Sequence, residues 1–432
     1  MAFIKRSAIL CGFLLPLPCL KSFLEPTLPV VFDGYYHPAF QSVADKFKAN
    51  LKSGKERGGA LAVYHKGRLV LDIWGGYADE EAQRPWQNDT MTIGYLNTKG
   101  IAAVVIARMA EKGFINYKSL VSDYWPEFAQ NDKENITVEM LLSHQAGLAV
   151  LDKPINLLDI RDNPEKVEES LCSQRPIWPV GSLHGYHSIT YGPYVDTLIR
   201  KADPKERNTQ KIFQDDIAGP FEIDLFMNTP RDKYYRVARL YEDPSWKALL
   251  KSLTDFKIAS VMMRWILFPN SIMARAVSSV TEFSKGFFVE NNPYYREITL
   301  SCCHGTGTAR GFAKVYGILS NGGMEGKHRL LSEDAIKVMT TPLVSGLDAS
   351  LGIETRFGPG TGFKNNPKGE LMFGHTGYGG QVAMADLSNR LGIAYLTNYI
   401  SMYGMGDDPR YVDLENELYK CLDNYIEQEG LT

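Results

Sequence analysis

From Ile101 to Lys112 the chain is apolar nearly all round a helical wheel, and Gly113 stands where a C-terminal cap belongs. A helix with no polar face has nothing to give to water, so it must lie inside a large core. Its head is Gly94-Tyr95-Leu96-Asn97-Thr98-Lys99-Gly100. Lys99 is therefore either an exposed lysine at a helix start or a buried one that needs a partner, and the apolar surroundings favour the second. The chain of 432 residues is long enough to build such a core, as one large domain or two ordinary ones.

The elements on either side suggest how that core is closed. Phe40, Val43, Ala44, Phe47 and Leu51 fall at helical spacing, and Gly58-Gly59 is expected to end that helix. Residues 60–64 and 68–74 read as two strands joined at His65-Lys66-Gly67, with Gly75-Gly76 closing the hairpin and a polar loop running on to Asp89. Thr137 is a plausible N-cap for a helix that finishes in Leu141 to Leu148, and residues 150–345 continue mostly helical. Strands return at 381–387 and 391–398, followed by a last helix with Leu414, Leu418, Cys421, Leu422 and Tyr425 on one side. Strands at both ends enclosing a helical middle give an α/β (α+β) class. An antiparallel sheet from the N- and C-terminal segments carries an inserted helical subdomain. The expected boundaries are a domain at about 35–425, with sheet parts at about 35–95 and 346–425 and the helical subdomain at about 99–345.

Residues 1–24 read as a targeting segment. Lys5 and Arg6 precede an uncharged, mostly apolar run from Ser7 to Leu20, which is the length of a signal-peptide core and too short to span a bilayer comfortably. A secretory or extracellular destination is the first expectation, a signal anchor the second and a mitochondrial leader the third. Asn88-Asp89-Thr90 and Asn135-Ile136-Thr137 are sequons that fit the first. The net charge of -3 gives no reason to expect nucleic acid. Cys172, Cys302, Cys303 and Cys421 show neither metal spacing nor a disulfide framework. No metal or cofactor is expected, and His184 and His187, three apart, have no carboxylate beside them. The apolar stretch 246–275 reads as helices round a cleft or a lid, with a membrane-contacting face as the second reading; otherwise membrane contact is expected only of the N-terminal segment.

Three motifs carry the chemistry. Leu96-Asn97-Thr98-Lys99 heads the buried helix, Tyr186-His187-Ser188 lies in the helical middle, and His375-Thr376-Gly377 precedes a C-terminal strand. In order and spacing they resemble the serine β-lactamase and penicillin-binding-protein superfamily, and most closely its class C-like esterases and the animal β-lactamase-domain proteins. Trp74-Gly75-Gly76, Leu141 to Leu148 and Gly307-Thr308-Ala309-Arg310 support the resemblance, which covers about residues 35–425 and implies a β-lactamase-like sandwich. It also implies roles. A serine at position 96 would share a helix face with Lys99, which with Tyr186 would help take its proton. The backbone N–H groups of residue 96 and Tyr378 would hold the oxyanion, His375 would face the substrate carboxylate or the acyl region, and Thr376 and Gly377 would be binding residues beside it.

Position 96 holds leucine, which has no nucleophilic atom. Losing the serine of a serine hydrolase costs on the order of a millionfold in rate, a scale taken from an unrelated protease. Thr98 lies roughly 200° round the helix from Leu96 and faces elsewhere. The expectation is thus a hydrolase homologue without hydrolase activity, a pseudoenzyme that keeps a cleft for an ester- or amide-like small molecule. Two other readings stand beside it: an active esterase or amidase using Ser188 or another hydroxyl, and a structural protein that assembles with its own kind. Cys302-Cys303-His304 reads as packing or loop, and His144 as a structural hydrogen-bonding residue in its turn.

Overall fold

In a computed structural model, residues 28–242, 255–262, 264, 267–286 and 288–430 are described. The expected targeting segment, Cys11, Cys19 and much of the apolar stretch 246–275 lie outside them. The frame is a mixed antiparallel sheet drawn from both ends of the chain. Its strands are β1 (Phe32–Tyr36), β2 (Gly58–His65), β3 (Arg68–Asp79), β4 (Val344–Leu347), β5 (Glu354–Phe357), β6 (Gly362–Asn365), β7 (Leu371–Thr376), β8 (Val382–Asp386) and β9 (Leu391–Thr397). They run in the order β1-β3-β2-β9-β8-β7-β6-β5-β4, with the short strand Arg84–Pro85 added to β3 as the tenth. The join between the terminal halves is β2 against β9, from Gly59↔Thr397 to His65↔Leu391.

Both faces of this sheet are covered, which is why β2 is buried along its whole length. On one face Leu61, Val63, Ile73, Ile393 and Tyr395 pack against helices α1 (Gln41–Lys52) and α5 (Pro409–Gln428). On the other, Ala60, Ala62, Tyr64, Ala394 and Leu396 join a larger core with α2 (Asn97–Glu111), α3 (Tyr191–Ala202) and α4 (Ala309–Ser320). Odd and even residues of one strand thus feed two separate cores, as the period of a strand requires. In α2 every residue from Asn97 to Ala107 is buried, so the helix that has no polar face is the one inside the larger core.

The structure departs from the sequence reading at the glycines. Gly58-Gly59 does not end the first helix, which stops at Lys52, and Gly75-Gly76 does not close the hairpin. Gly58 and Gly76 face each other in the ladder, and β3 continues to Asp79. A Cβ on Gly76, at φ 73°, would fall 1.9 Å from the Arg57 carbonyl oxygen. These glycines therefore allow close backbone approach inside a strand pair. The helix opened by Thr137, whose hydroxyl accepts from the Met140 N–H, stops at Leu142, because His144 and Gly147 turn the chain at φ 66° and 72°. Tyr186-His187-Ser188 belongs to no helix; it is the irregular stretch that leads into α3.

Candidate active site

The head of α2 is delivered by an unusual backbone. Tyr95, immediately before Leu96, sits at φ 47°, in the left-handed region a bulky residue enters at a cost. The Thr98 and Lys99 N–H groups close back on the carbonyls of Tyr95 and Leu96. The Thr98 hydroxyl donates to the Tyr95 carbonyl and accepts the Gly305 N–H at 2.8 Å, so it is fully engaged away from any site. The Tyr95 ring stands edge-on to Tyr378 with centroids 5.6 Å apart, which ties the head of α2 to the turn after β7.

Lys99 is completely buried. Its ammonium donates to the His187 carbonyl at 2.8 Å and lies 3.8 Å from the centre of the Tyr186 ring and 4.9 Å from that of Tyr191. Burial lowers its pKa to about 7, with Cys302, Cys303 and Asp348 pulling the other way. The aromatic faces and one carbonyl replace the carboxylate that a buried ammonium would otherwise need.

The Tyr186 motif is held from behind. The Asp348 carboxylate accepts the N–H groups of Tyr186, Ser350 and Leu351, and so pins the tyrosine backbone to the start of the β4–β5 turn. The Tyr186 ring stacks on Phe357 at 5.6 Å and meets the edge of His144 at 4.9 Å. His187 donates from Nδ1 to the Gly185 carbonyl and accepts the Leu148 N–H at Nε2, so both its nitrogens are used. His184 makes its ring contact with the Thr355 hydroxyl. The two histidines thus have protein partners, which suits a structural role for the pair. His144 accepts the His187 N–H at Nδ1, in the turn that sequence gave it.

His375 comes from β7. A carbonyl oxygen can only accept, so its Nδ1 must carry the hydrogen given to the Thr376 carbonyl at 2.7 Å. Burial and the Lys99 charge lower its pKa to about 3, so the ring is neutral and its Nε2 is bare. Its ring centre lies 6.0 Å from that of Tyr186. The Thr376 hydroxyl donates to the Gly404 carbonyl, and Gly377 donates to the Gln381 carbonyl.

These groups meet at one cavity of about 600 Å³. Leu96, Tyr186, Ser188, His375, Thr376 and Tyr378 all line it. Lys99 lies behind the Tyr186 ring, and Gly377 is not part of the wall. The half-buried Leu96 side chain packs on a small apolar cluster of Tyr186, Leu351, Ile353 and Phe357. Beside it, three polar atoms are buried with no hydrogen-bond partner among the described residues: Tyr186 Oη, Ser188 Oγ and His375 Nε2. Orphaned buried groups of this kind cost about 1–3 kcal/mol each, so three in one place mark a site rather than a well-packed core.

Several wall residues were not found from sequence. Phe357 and Ile353 belong to a stretch with no motif, although the alternation of Glu354-Thr355-Arg356-Phe357 could have placed Phe357 inward. Asp348 carried no signal, because its role is set by backbone donors that only the fold assembles. Cys303 lines the cavity rather than only packing, and its thiol lies 3.3 Å from that of Cys302.

A family model described as Beta-lactamase matches residues 43–415. The Esterase/beta-lactamase LipL of Mycobacterium tuberculosis (strain ATCC 25618 / H37Rv) is 31% identical over 378 residues, which is 84% of this chain and 82% of that protein. The crystal structure of a family VIII carboxylesterase is similar with a TM-score of 0.78 and 31% identity, covering 90% of this chain and 99% of the other. A penicillin-binding-protein homologue from Caulobacter crescentus has the same TM-score at 29% identity, again covering 90% and 99%.

Proposed function

The chain belongs to the β-lactamase family, and on that premise we propose that it binds a neutral ester- or amide-like small molecule without hydrolysing it. The observation that carries this reading is the set of orphaned atoms in the cavity that Leu96 lines. Tyr186 Oη, Ser188 Oγ and His375 Nε2 belong to wall residues of the same cavity as Leu96, whose side chain can neither donate nor accept. A serine hydroxyl at position 96 would be a partner for such atoms; leucine leaves them without one. The rest of the apparatus has the character of a binding site. His375 is neutral, burial holds the Tyr186 phenol protonated, and the Lys99 ammonium is screened behind an aromatic ring. A ligand carbonyl would find a donor in Tyr186, and an amide N–H or hydroxyl would find an acceptor in His375; of the cations in the wall, Lys257 and Lys364 are already paired with Asp407 and Glu415.

A second reading has an observation of its own. Ser188 lines the same cavity and its hydroxyl is uncommitted. It lacks a hydrogen-bonded base, which a serine nucleophile requires. One experiment separates the two. A fluorophosphonate probe is expected to leave the native protein unlabelled and to label Leu96→Ser at position 96. Labelling of the native protein that maps to Ser188 by peptide mass spectrometry, and vanishes in Ser188→Ala, would establish the second reading and sink the first.

A further inference from the structure

The rim of the cavity is apolar as well as its wall. Leu267 is 67% exposed, Phe268 54%, Leu347 66% and Met405 37%. Scattered exposed leucines are ordinary on any protein, but these four are not scattered. Leu347 follows Ser345 and Gly346, which line the cavity, and pairs across the ladder with Glu354, which also lines it. Leu267 and Phe268 stand between Val261 and Met273, both in the wall. The segment that carries them is set on the same hairpin: Arg264 lies so close over Gly352 that a Cβ there would fall 2.2 Å from its Nε. Met405 is itself a wall residue, two before Asp407. Asp407 reaches Lys257 at 3.7 Å, and this ion pair ties the Met405 segment to the helix that carries Val261.

We propose that this collar docks the cavity mouth on the surface of a phospholipid bilayer, from which the protein takes its apolar ligand; the second half of this rests on the ligand-binding reading above. Two features favour a lipid film over a protein partner. The collar opens directly onto an apolar cavity, so an apolar chain could pass from film to cavity without crossing water. The charges of the rim also balance, with Lys257 beside Asp407 and Glu354 and Arg356 together on β5, which gives no pattern for a charged partner to read. Methionines 273, 384, 402 and 405 in the wall suit chains of variable shape. Among the described residues no helix is long and apolar enough to cross a membrane, so this is contact with one leaflet.

Flotation of the full chain with phosphatidylcholine vesicles tests the proposal. The native protein is expected to float, and Leu267→Asp/Phe268→Asp/Leu347→Asp to bind at least about tenfold more weakly. Raising the salt from about 50 mM to about 500 mM should change native binding less than about twofold, because no net charge drives it. Met405→Glu should weaken binding independently. The N-terminal segment is the same in every variant, and flotation is titrated against lipid concentration so that native and variant proteins are compared below saturation. Equal flotation of native and variant proteins overturns the proposal, as does a native protein that does not float. A collar whose substitution turns a dimer into a monomer by light scattering, with flotation unchanged, overturns it too and makes the surface a contact between copies. A soluble solvatochromic dye, read without vesicles, should enter the native and triple-variant cavities alike. If it enters neither, the ligand-binding reading fails, while flotation still decides the docking.

Discussion

Lys99 shows what a single buried residue costs this fold. Burial lowers its pKa from the ordinary lysine value to about 7. The folded state thus resists the proton that the unfolded chain holds up to about pH 10.4. For a base with a lowered folded pKa, the penalty is complete below the folded value and is relieved as pH rises toward the unfolded one. Stability should therefore climb between about pH 7 and about pH 10 because of this residue. Lys99→Met keeps the length and removes the charge. It is expected to raise stability at pH 7 by a few kcal/mol, order of magnitude, and to flatten that climb. Urea denaturation at pH 7 and pH 9.5 checks both, and a destabilised variant would show that the His187 carbonyl and the two tyrosine rings more than offset the burial. The lysine itself was legible in sequence, because a helix with no polar face leaves its first turn nowhere to go. Tyr186 was legible as its neighbour, but the manner of contact was not: Lys99 lies on the face of the Tyr186 ring, and its hydrogen bond goes to the next residue's carbonyl.

At the scale of elements, the strongest periodicities were read correctly and the glycines were misread. The helix of Leu414, Leu418, Cys421, Leu422 and Tyr425 follows from its one apolar face, and the final hairpin from two alternating runs about the turn at Ser388-Asn389-Arg390. Gly75-Gly76 looks like punctuation because sequence does not show that another backbone passes beside it. The same physics joins α4 to the sheet. A Cβ on Gly392 of β9 would fall 2.1 Å from the Gly317 amide nitrogen of α4, so two glycines let helix and strand touch backbone to backbone. Gly392→Ala should push α4 off the sheet and cost about 3 kcal/mol or more, at the high end of overpacking because backbone must move. Gly404→Ala serves as the control in space, since a Cβ there meets nothing within 4 Å and its backbone is not left-handed. Denaturation midpoints of Gly392→Ala and native protein measure the difference; a loss below about 1 kcal/mol would mean that the contact relaxes cheaply.

The whole molecule carries a titration signature that its composition does not reveal. Eight histidines were visible in sequence, but not which of them the two cores would bury. Burial lowers the pKa of His187 and His375 to about 3 and of His65 and His304 to about 4, and holds His144 well below its ordinary value. The unfolded chain takes protons at these sites below about pH 6.5 while the folded chain refuses them, so stability falls as pH drops from about 6.5 toward 4. Each such histidine contributes about 1.4 kcal/mol per pH unit over that window. Buried acids oppose them, and burial raises the carboxyls of Glu56, Asp72 and Asp348 as well as the two that move furthest. Burial raises Asp196 to about 6 and Glu290 to about 8, and each holds a proton in the folded state that the unfolded chain releases as pH rises. Their contribution is complete below the unfolded values near pH 4 and is lost through the folded ones. Five histidines against Asp196 and Glu290 leave the histidines ahead near pH 6, so the folded protein should lose stability as pH falls through that value. Above pH 6.5 the histidines no longer contribute, and Glu290 pulls stability down until Lys99 begins to lift it, which places a shallow trough between about pH 7 and pH 8. Glu290→Gln keeps the shape of the side chain and removes its titration. It is expected to erase the decline from pH 6.5 to 8 and to leave the acid limb intact, in urea unfolding followed by tryptophan fluorescence across that range. A decline that survives in Glu290→Gln would assign it to another buried acid and break the link between this carboxyl and the trough.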